Sequence, residues 1–199
     1  MENNPQISVI ICAYNEEKYI DNCLRSLMNQ RVWFKFDIVI IDDCSTDNTI
    51  SVLNEYANNI KLFKNEKNMG IGYSSNLGVK KSKTKYVIRV DADDYVSEHF
   101  LSSLYLFLES NSYANSVACD YYKVDKFGNI LDRYNCLKDP IACGILYKKD
   151  DLIKIGLYDN KAKINEEKEL ELRYKKFFNK YRLEIPLYKY RIHENNTSG

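Results

Sequence analysis

The sequence predicts an α/β domain: a Rossmann-like, mostly parallel sheet flanked by helices, with a small antiparallel portion in the C-terminal half. Three observations predict it. Short, nearly continuous apolar runs at residues 7–13, 36–41 and 86–90 suit strands buried on both faces. Segments with apolar residues at helical spacing separate them, and two of the runs end in clustered carboxylates, Asp42-Asp43 and Asp91-Ala92-Asp93-Asp94. In such sheets, ligands bind beyond the carboxyl ends of the strands.

The first run, Ile7-Ser8-Val9-Ile10-Ile11-Cys12-Ala13, precedes a helix read from Tyr19, Ile20, Cys23, Leu24, Leu27 and Met28, with Glu16 and Glu17 in its first turn. The strand at 36–41 leads to a helix at 47–57, and a short strand at 60–64 precedes the turn at Asn68-Met69-Gly70. A helix at 72–83 leads into the strand at 86–90, and another spans 97–110. Beyond that the pattern changes to extended segments at 116–125 and 141–147 with a Phe127-Gly128-Asn129 turn, which read as antiparallel strands. A charged helix at 165–179 and an extended segment at 183–193 complete the chain. No linker or repeat interrupts it, so one domain is expected over residues 1–199, with the alternating, acid-ended strands in 1–95 and the mixed pattern in 96–199.

Composition narrows the function. With 29 basic and 28 acidic residues the net charge is +1, which offers no global field to recruit nucleic acid. Residues 1–5 lack the pattern of a leader, and no apolar run approaches the ~20 residues that cross a bilayer. A cytoplasmic protein is therefore expected. The 6 cysteines show no Cys-x-x-Cys pairing, which argues against zinc or a disulfide framework. Sequons at Asn195 and Asn196 read as part of a polar tail.

The acids carry the chemistry. Ser45 to Thr49 are explained as a polar loop and helix cap, but adjacent Asp42 and Asp43 at a buried strand end need partners, and a nucleobase N–H would be one. Asp91-x-Asp93 after an apolar strand suits Mg2+ or Mn2+, which take carboxylate oxygens and complete their shell with phosphate and water. A nucleoside diphosphate held through a divalent metal is the expected ligand. By position alone, Glu166 to Arg173 are a solvated helix and His193 is a surface histidine.

The order of the motifs resembles glycosyltransferase family 2, whose catalytic domains adopt the GT-A fold. The resemblance runs from about Ile7 to His193 and rests on Ala13-Tyr14-Asn15-Glu16, Asp42 to Thr49, Asn68 to Gly72 with Asn76 and Gly78, Asp91 to Asp94, and Tyr190-Arg191-Ile192-His193. It implies that Ala13, Tyr14, Glu16, Asp43, Asn68, Gly70 and Asp91 line the nucleotide pocket, Asp43 accepting from a uracil-type N–H. It makes Asp93 the direct metal ligand, with Asp91 nearer the ribose or a metal-bound water and His193 at the metal or diphosphate. Gly144, Glu166 and Asp94 would lie beside the donor and acceptor sugars, and Glu167 would be the base, one methylene longer than the family's usual aspartate.

The implied activity is a metal-dependent, inverting transfer of one sugar from a nucleotide donor, UDP-linked, to a hydroxyl of a glycan or lipid-linked acceptor in surface polysaccharide biosynthesis. The Gln-x-x-Arg-Trp motif of processive members is absent, which favours single transfer. Alternatives are a polyprenyl-phosphate sugar synthase and a non-catalytic nucleotide- or glycan-binding module. The mixed basic and aromatic residues from Arg173 to Arg182 offer peripheral contact with the inner membrane face, against the simpler reading of a solvated helix with Phe177 or Phe178 packed inward.

Overall fold

The computed structural model describes residues 4–159 and 166–194. The order is β1 (Ile7–Ala13), α1 (Ile20–Met28), β2 (Phe36–Asp42), α2 (Thr49–Glu55), β3 (Lys61–Lys64), α3 (Ile71–Lys81), β4 (Tyr86–Arg89), β5 (Tyr95–Val96) and α4 (Phe100–Ser110). There follow β6 (Ser116–Val124), β7 (Ile130–Tyr134), β8 (Ile145–Lys148), α5 (Lys149–Lys154), α6 (Glu166–Tyr174) and β9 (Lys180–Arg191). The 9 described strands form one sheet ordered β3-β2-β1-β4-β8-β6-β9-β5, with β7 beside the outer half of β6.

Strands β3, β2, β1 and β4 pair in parallel, and β8 enters antiparallel between β4 and β6. Period-two alternation divides the core. Ile7, Val9, Ile11 and Ala13 of β1 pack with α1 and α4, whereas Ile10 faces Val79, Leu152, Leu170 and Tyr174 from α3, α5 and α6. Gly78 permits the close approach of α3, since a Cβ there would lie 2.4 Å from Ile10 Cγ2.

Several boundaries differ from expectation. Glu16 and Glu17 precede α1, because their amides donate to Thr49 Oγ1 and Asp47 Oδ2 across the neighbouring loop and the helix begins only at Ile20. Helix α6 ends at Tyr174, whose carbonyl receives the amides of both Phe177 and Phe178 as the chain tightens towards β9. Phe178 turns inward against Tyr174, and Phe177 is 72% exposed. Strand β9 begins earlier than expected and runs parallel to β6. Three elements were not anticipated: β5, of 2 residues, and α5, of 6, are too short to show a period, and β7, of 5, is an exposed strand beyond the turn at Gly128. No described helix is long and apolar enough to cross a membrane. The sequons at Asn195 and Asn196 lie outside the described residues, as does the side chain of Glu166.

Candidate functional site

Register puts the site at one edge of the sheet. Ala13 pairs with Asp42 and Ile10 with Arg89, so the residues just beyond β1, β2 and β4 emerge together. Tyr14 is exposed there. The loops after β1 and β2 are stitched to each other: Asn15 N donates to Ser45 Oγ at 3.0 Å, Thr46 N to Asn15 Oδ1 at 2.8 Å, and Asn48 N to Glu17 Oε2 at 2.9 Å. Ser45 to Thr49 thus serve the loop itself, and Asp42, buried, accepts weakly from Ser45 N.

Asp43 is buried and already holds a third loop. Its Oδ1 accepts from Asn65 Nδ2 at 2.6 Å and Met69 N at 2.8 Å, and its Oδ2 from Gly70 N at 2.8 Å. A carboxylate offers about four acceptor positions, so one on Oδ2 is left towards the edge. Gly70 meets Asp43 at φ 87, a conformation that glycine adopts without strain, while Asn68 is exposed beside it.

Asp91, Asp93 and Asp94 follow β4 and are gripped by β9. Tyr188 OH donates to Asp94 Oδ2 at 2.7 Å and accepts from Asp91 N at 3.1 Å, Arg191 N donates to Asp94 Oδ1 at 2.7 Å, and Arg191 Nε to the Asp93 carbonyl at 2.8 Å. His193, with its side chain only 8% exposed, places Nε2 2.9 Å from Asp93 Oδ2. It is not the surface histidine that its place near the terminus suggests, because Arg191 at the end of β9 is bonded to Asp93 and Asp94 and so holds the following residues against the acid loop.

Burial and mutual repulsion raise this cluster. Glu16 is pushed up to about 8 by burial and then by Asp93, Asp47 and Asp91, which places both acidic loops around one carboxyl. Asp93 is raised by burial and by Asp91, with His193 opposing; Asp94 is driven well above the usual range by burial, Asp93 and Asp91. Such unneutralised carboxyls, with an imidazole among them, suit a hard divalent cation. A second grouping, Asp91, Asp94 and Cys143, has its ligand atoms within 4.8 Å of one another. It suits a cation less well, because both Asp94 oxygens are engaged and burial drives the Cys143 thiol well above its usual range.

Arg89 approaches the cluster from beneath. Its Nε lies 3.0 Å from Asp91 Oδ1, with its side chain 9% exposed, yet neither Nε nor Nη1 has a well-aligned hydrogen bond. Burial opposes its charge, and Asp91 foremost among its neighbours sustains it. The one cation in an apolar strand was a signal available in the sequence and unused. Tyr188, among 17 tyrosines, offered none.

Gly144, at φ 72, donates its N–H to the Arg89 carbonyl at 2.8 Å, and a Cβ would lie 3.0 Å from Tyr188 Cδ2. Its missing side chain makes room for the tyrosine that holds the acid loop. Glu167 is half-buried in the first turn of α6, with no hydrogen-bond partner among the described residues. Leu170 and Tyr174 seat that helix against Tyr158, and Arg173 Nη2 donates to the Leu157 carbonyl at 2.6 Å.

The profile of glycosyl transferase family 2 matches residues 8–182. The chain is 34% identical over 166 residues to an uncharacterized glycosyltransferase of Haemophilus influenzae, covering 80% of this chain and 47% of that protein. It is 36% identical over 110 residues to the poly(ribitol-phosphate) beta-N-acetylglucosaminyltransferase TarS of Staphylococcus aureus, covering 53% of this chain and 19% of TarS. The crystal structure of S. aureus TarS 1-349 in complex with UDP-GlcNAc superposes with a TM-score of 0.81 at 25% identity, over 96% of this chain and 60% of that one. The GT-A architecture expected from the motifs is therefore the observed one. The chain spans about half the length, or less, of the curated relatives it matches.

Proposed function

The chain belongs to glycosyl transferase family 2, and from that premise we propose that it transfers a single sugar from a UDP-linked donor to a hydroxyl of a glycan or lipid-linked acceptor. The observation that carries the reading is that Asp43 and the Asp91-to-Asp94 loop emerge at the one sheet edge where β2 and β4, both paired in parallel with β1, end, with His193 Nε2 2.9 Å from Asp93 Oδ2. The UDP-GlcNAc held by a structural neighbour supports the donor class, and relatives named for teichoic acid synthesis support a surface-polymer acceptor.

In this reading Asp43 accepts from the base through its remaining Oδ2 position, while Ala13, Tyr14, Asn68 and Gly70 bound the nucleoside. Asp93 and His193 would hold Mn2+ or Mg2+ with Asp91 alongside, and such a cation would supply Lewis-acid stabilisation of the charge on the departing diphosphate. Glu167 takes the proton of the attacking hydroxyl, which approaches opposite the leaving group and inverts the anomeric centre. Exposed Phe177 with Lys175 and Lys176 gives a point of contact with the inner membrane face where a lipid-linked acceptor is used.

The test is an incubation with a set of UDP-sugars, Mn2+ and a panel of glycan and lipid-linked acceptors. Product is expected from the natural chain, and Glu167→Gln should keep donor binding while losing roughly 10²-fold or more of transfer. Unimpaired transfer by Glu167→Gln would assign the base elsewhere. No product from any donor would leave a nucleotide- or glycan-binding module.

A further inference from the structure

A second cleft, of about 380 Å3, adjoins the acid cluster between the start of α1 and the hairpin joining β6 to β7. Arg191 forms its floor, sandwiched between the rings of Tyr19 at 5.0 Å and Tyr95 at 5.1 Å, and it ties the two walls together by donating to the Lys126 carbonyl and Asn22 Oδ1, both at 3.1 Å. Lys18 and Lys126 are exposed on the rim, and Phe127 stands beside them 79% exposed. Among the described residues, no carboxylate lines the cleft. The acids adjacent in sequence are engaged by other partners: Glu17 accepts from Asn48, Asp21 pairs with Arg25, and Asp125 accepts from the amides of its own turn. In a chain of net charge +1, three cations around one cleft are a local concentration.

The cleft and the acid cluster share a wall. Tyr19 also lies 4.7 Å from the His193 ring, and Arg191 Nε reaches the Asp93 carbonyl. An anionic polymer approaching the acid cluster finds no free cation there among the described residues, the Arg89 guanidinium being buried against Asp91, so a cationic strip beside the cluster supplies the attraction that the site itself lacks. The exposed Phe127 ring, with the Lys126 ammonium 5.3 Å from its centroid, offers an apolar surface beside a cation that fits the C–H face of a sugar or polyol carrying phosphate or carboxylate.

We propose that this cleft holds an anionic group, phosphate or carboxylate, carried by the acceptor, with Lys18 and Lys126 supplying charge and Phe127 the apolar face. That the ligand is an acceptor rests on the transferase reading; the anion site itself does not. The experiment is fluorescence anisotropy with three labelled oligomers of equal length: a phosphodiester-linked glycerol phosphate, a uronate-containing glycosaminoglycan fragment and neutral maltoheptaose. Binding of at least one anionic oligomer is expected, weakening as salt rises. Lys18→Glu combined with Lys126→Glu should reduce it about tenfold or more, with the affinity for UDP and Mn2+ unchanged within twofold and the double Arg variant retaining binding. The two anionic arms tell phosphate from carboxylate. Equal binding of maltoheptaose, no binding of either anion, or indifference to the double Glu variant overturns the proposal. Binding with no transfer to any acceptor would instead remove the transferase reading and leave the anion cleft standing.

Discussion

Asp91 and Asp93 are two residues apart in sequence and face opposite partners. Asp91 stands against the buried guanidinium of Arg89, whereas Asp93 meets His193 and carries a raised pKa. Asp91→Asn should therefore cost about 2–3 kcal/mol by leaving Arg89 without its counter-ion, and Asp93→Asn no more than about 1 kcal/mol. Denaturant titration of the metal-free variants reads this difference, and equal losses would contradict it. Asp93→Asn should nonetheless abolish manganese-dependent UDP binding, measured by calorimetry.

Glu16 predicts a pH dependence. Its folded pKa of about 8 lies above the ordinary carboxyl value of 4.5, so between those values the native state keeps a proton that the unfolded chain has released. Stability then falls as pH rises through that window. The melting temperature of the metal-free protein should decline from about pH 5 to 8, and Glu16→Gln should flatten part of that decline. A rising trend would place Glu16 outside the acid cluster.

At the scale of elements, β9 matters most to the site. Its Tyr188 and Arg191 fix the loop after β4, and Gly144 leaves space for the tyrosine ring. Gly144→Ala combines a positive φ with a 3.0 Å contact, and should destabilise the protein by about 1–3 kcal/mol. Because the displaced ring holds Asp91 N and Asp94, UDP binding with manganese should weaken as well. A stable variant with unchanged binding would detach Tyr188 from the site. This strap was not legible in the sequence: an extended segment rich in tyrosine gives its direction but not its neighbour, and the parallel pairing with β6 is settled by the whole sheet. The parallel strands β1, β2 and β4 were legible because burial on both faces demands uninterrupted apolar residues.

At the scale of the molecule, ligand binding to the native state should appear as stability. Saturating UDP with Mn2+, at ~100 times its dissociation constant, adds roughly 2.7 kcal/mol, or ~5–10 °C in melting temperature for a chain of this size. The pH-dependent decline assigned to Glu16 should shrink in the same measurement, since a bound cation neutralises the neighbours that raise it. A shift from UDP alone as large as that from UDP with manganese would argue against a metal between protein and diphosphate.

By itself the sequence determined the alternation of strands and helices, the edge at which Asp43 and Asp91 to Asp94 emerge, and the order of motifs that marks the family. Periodicity and strand-end position are local properties, and they survive being read one residue at a time. Only the tertiary structure decided that Asp43 is largely engaged by the loop of Asn65, Met69 and Gly70, that Arg89 underlies Asp91, and that Tyr188 and Arg191 grip Asp94. The partners of Asp43 and Asp94 lie far away along the chain and meet only when the sheet assembles, β9 crossing it to reach Asp94; Arg89 and Asp91 are near neighbours whose pairing matters because the strand end is buried.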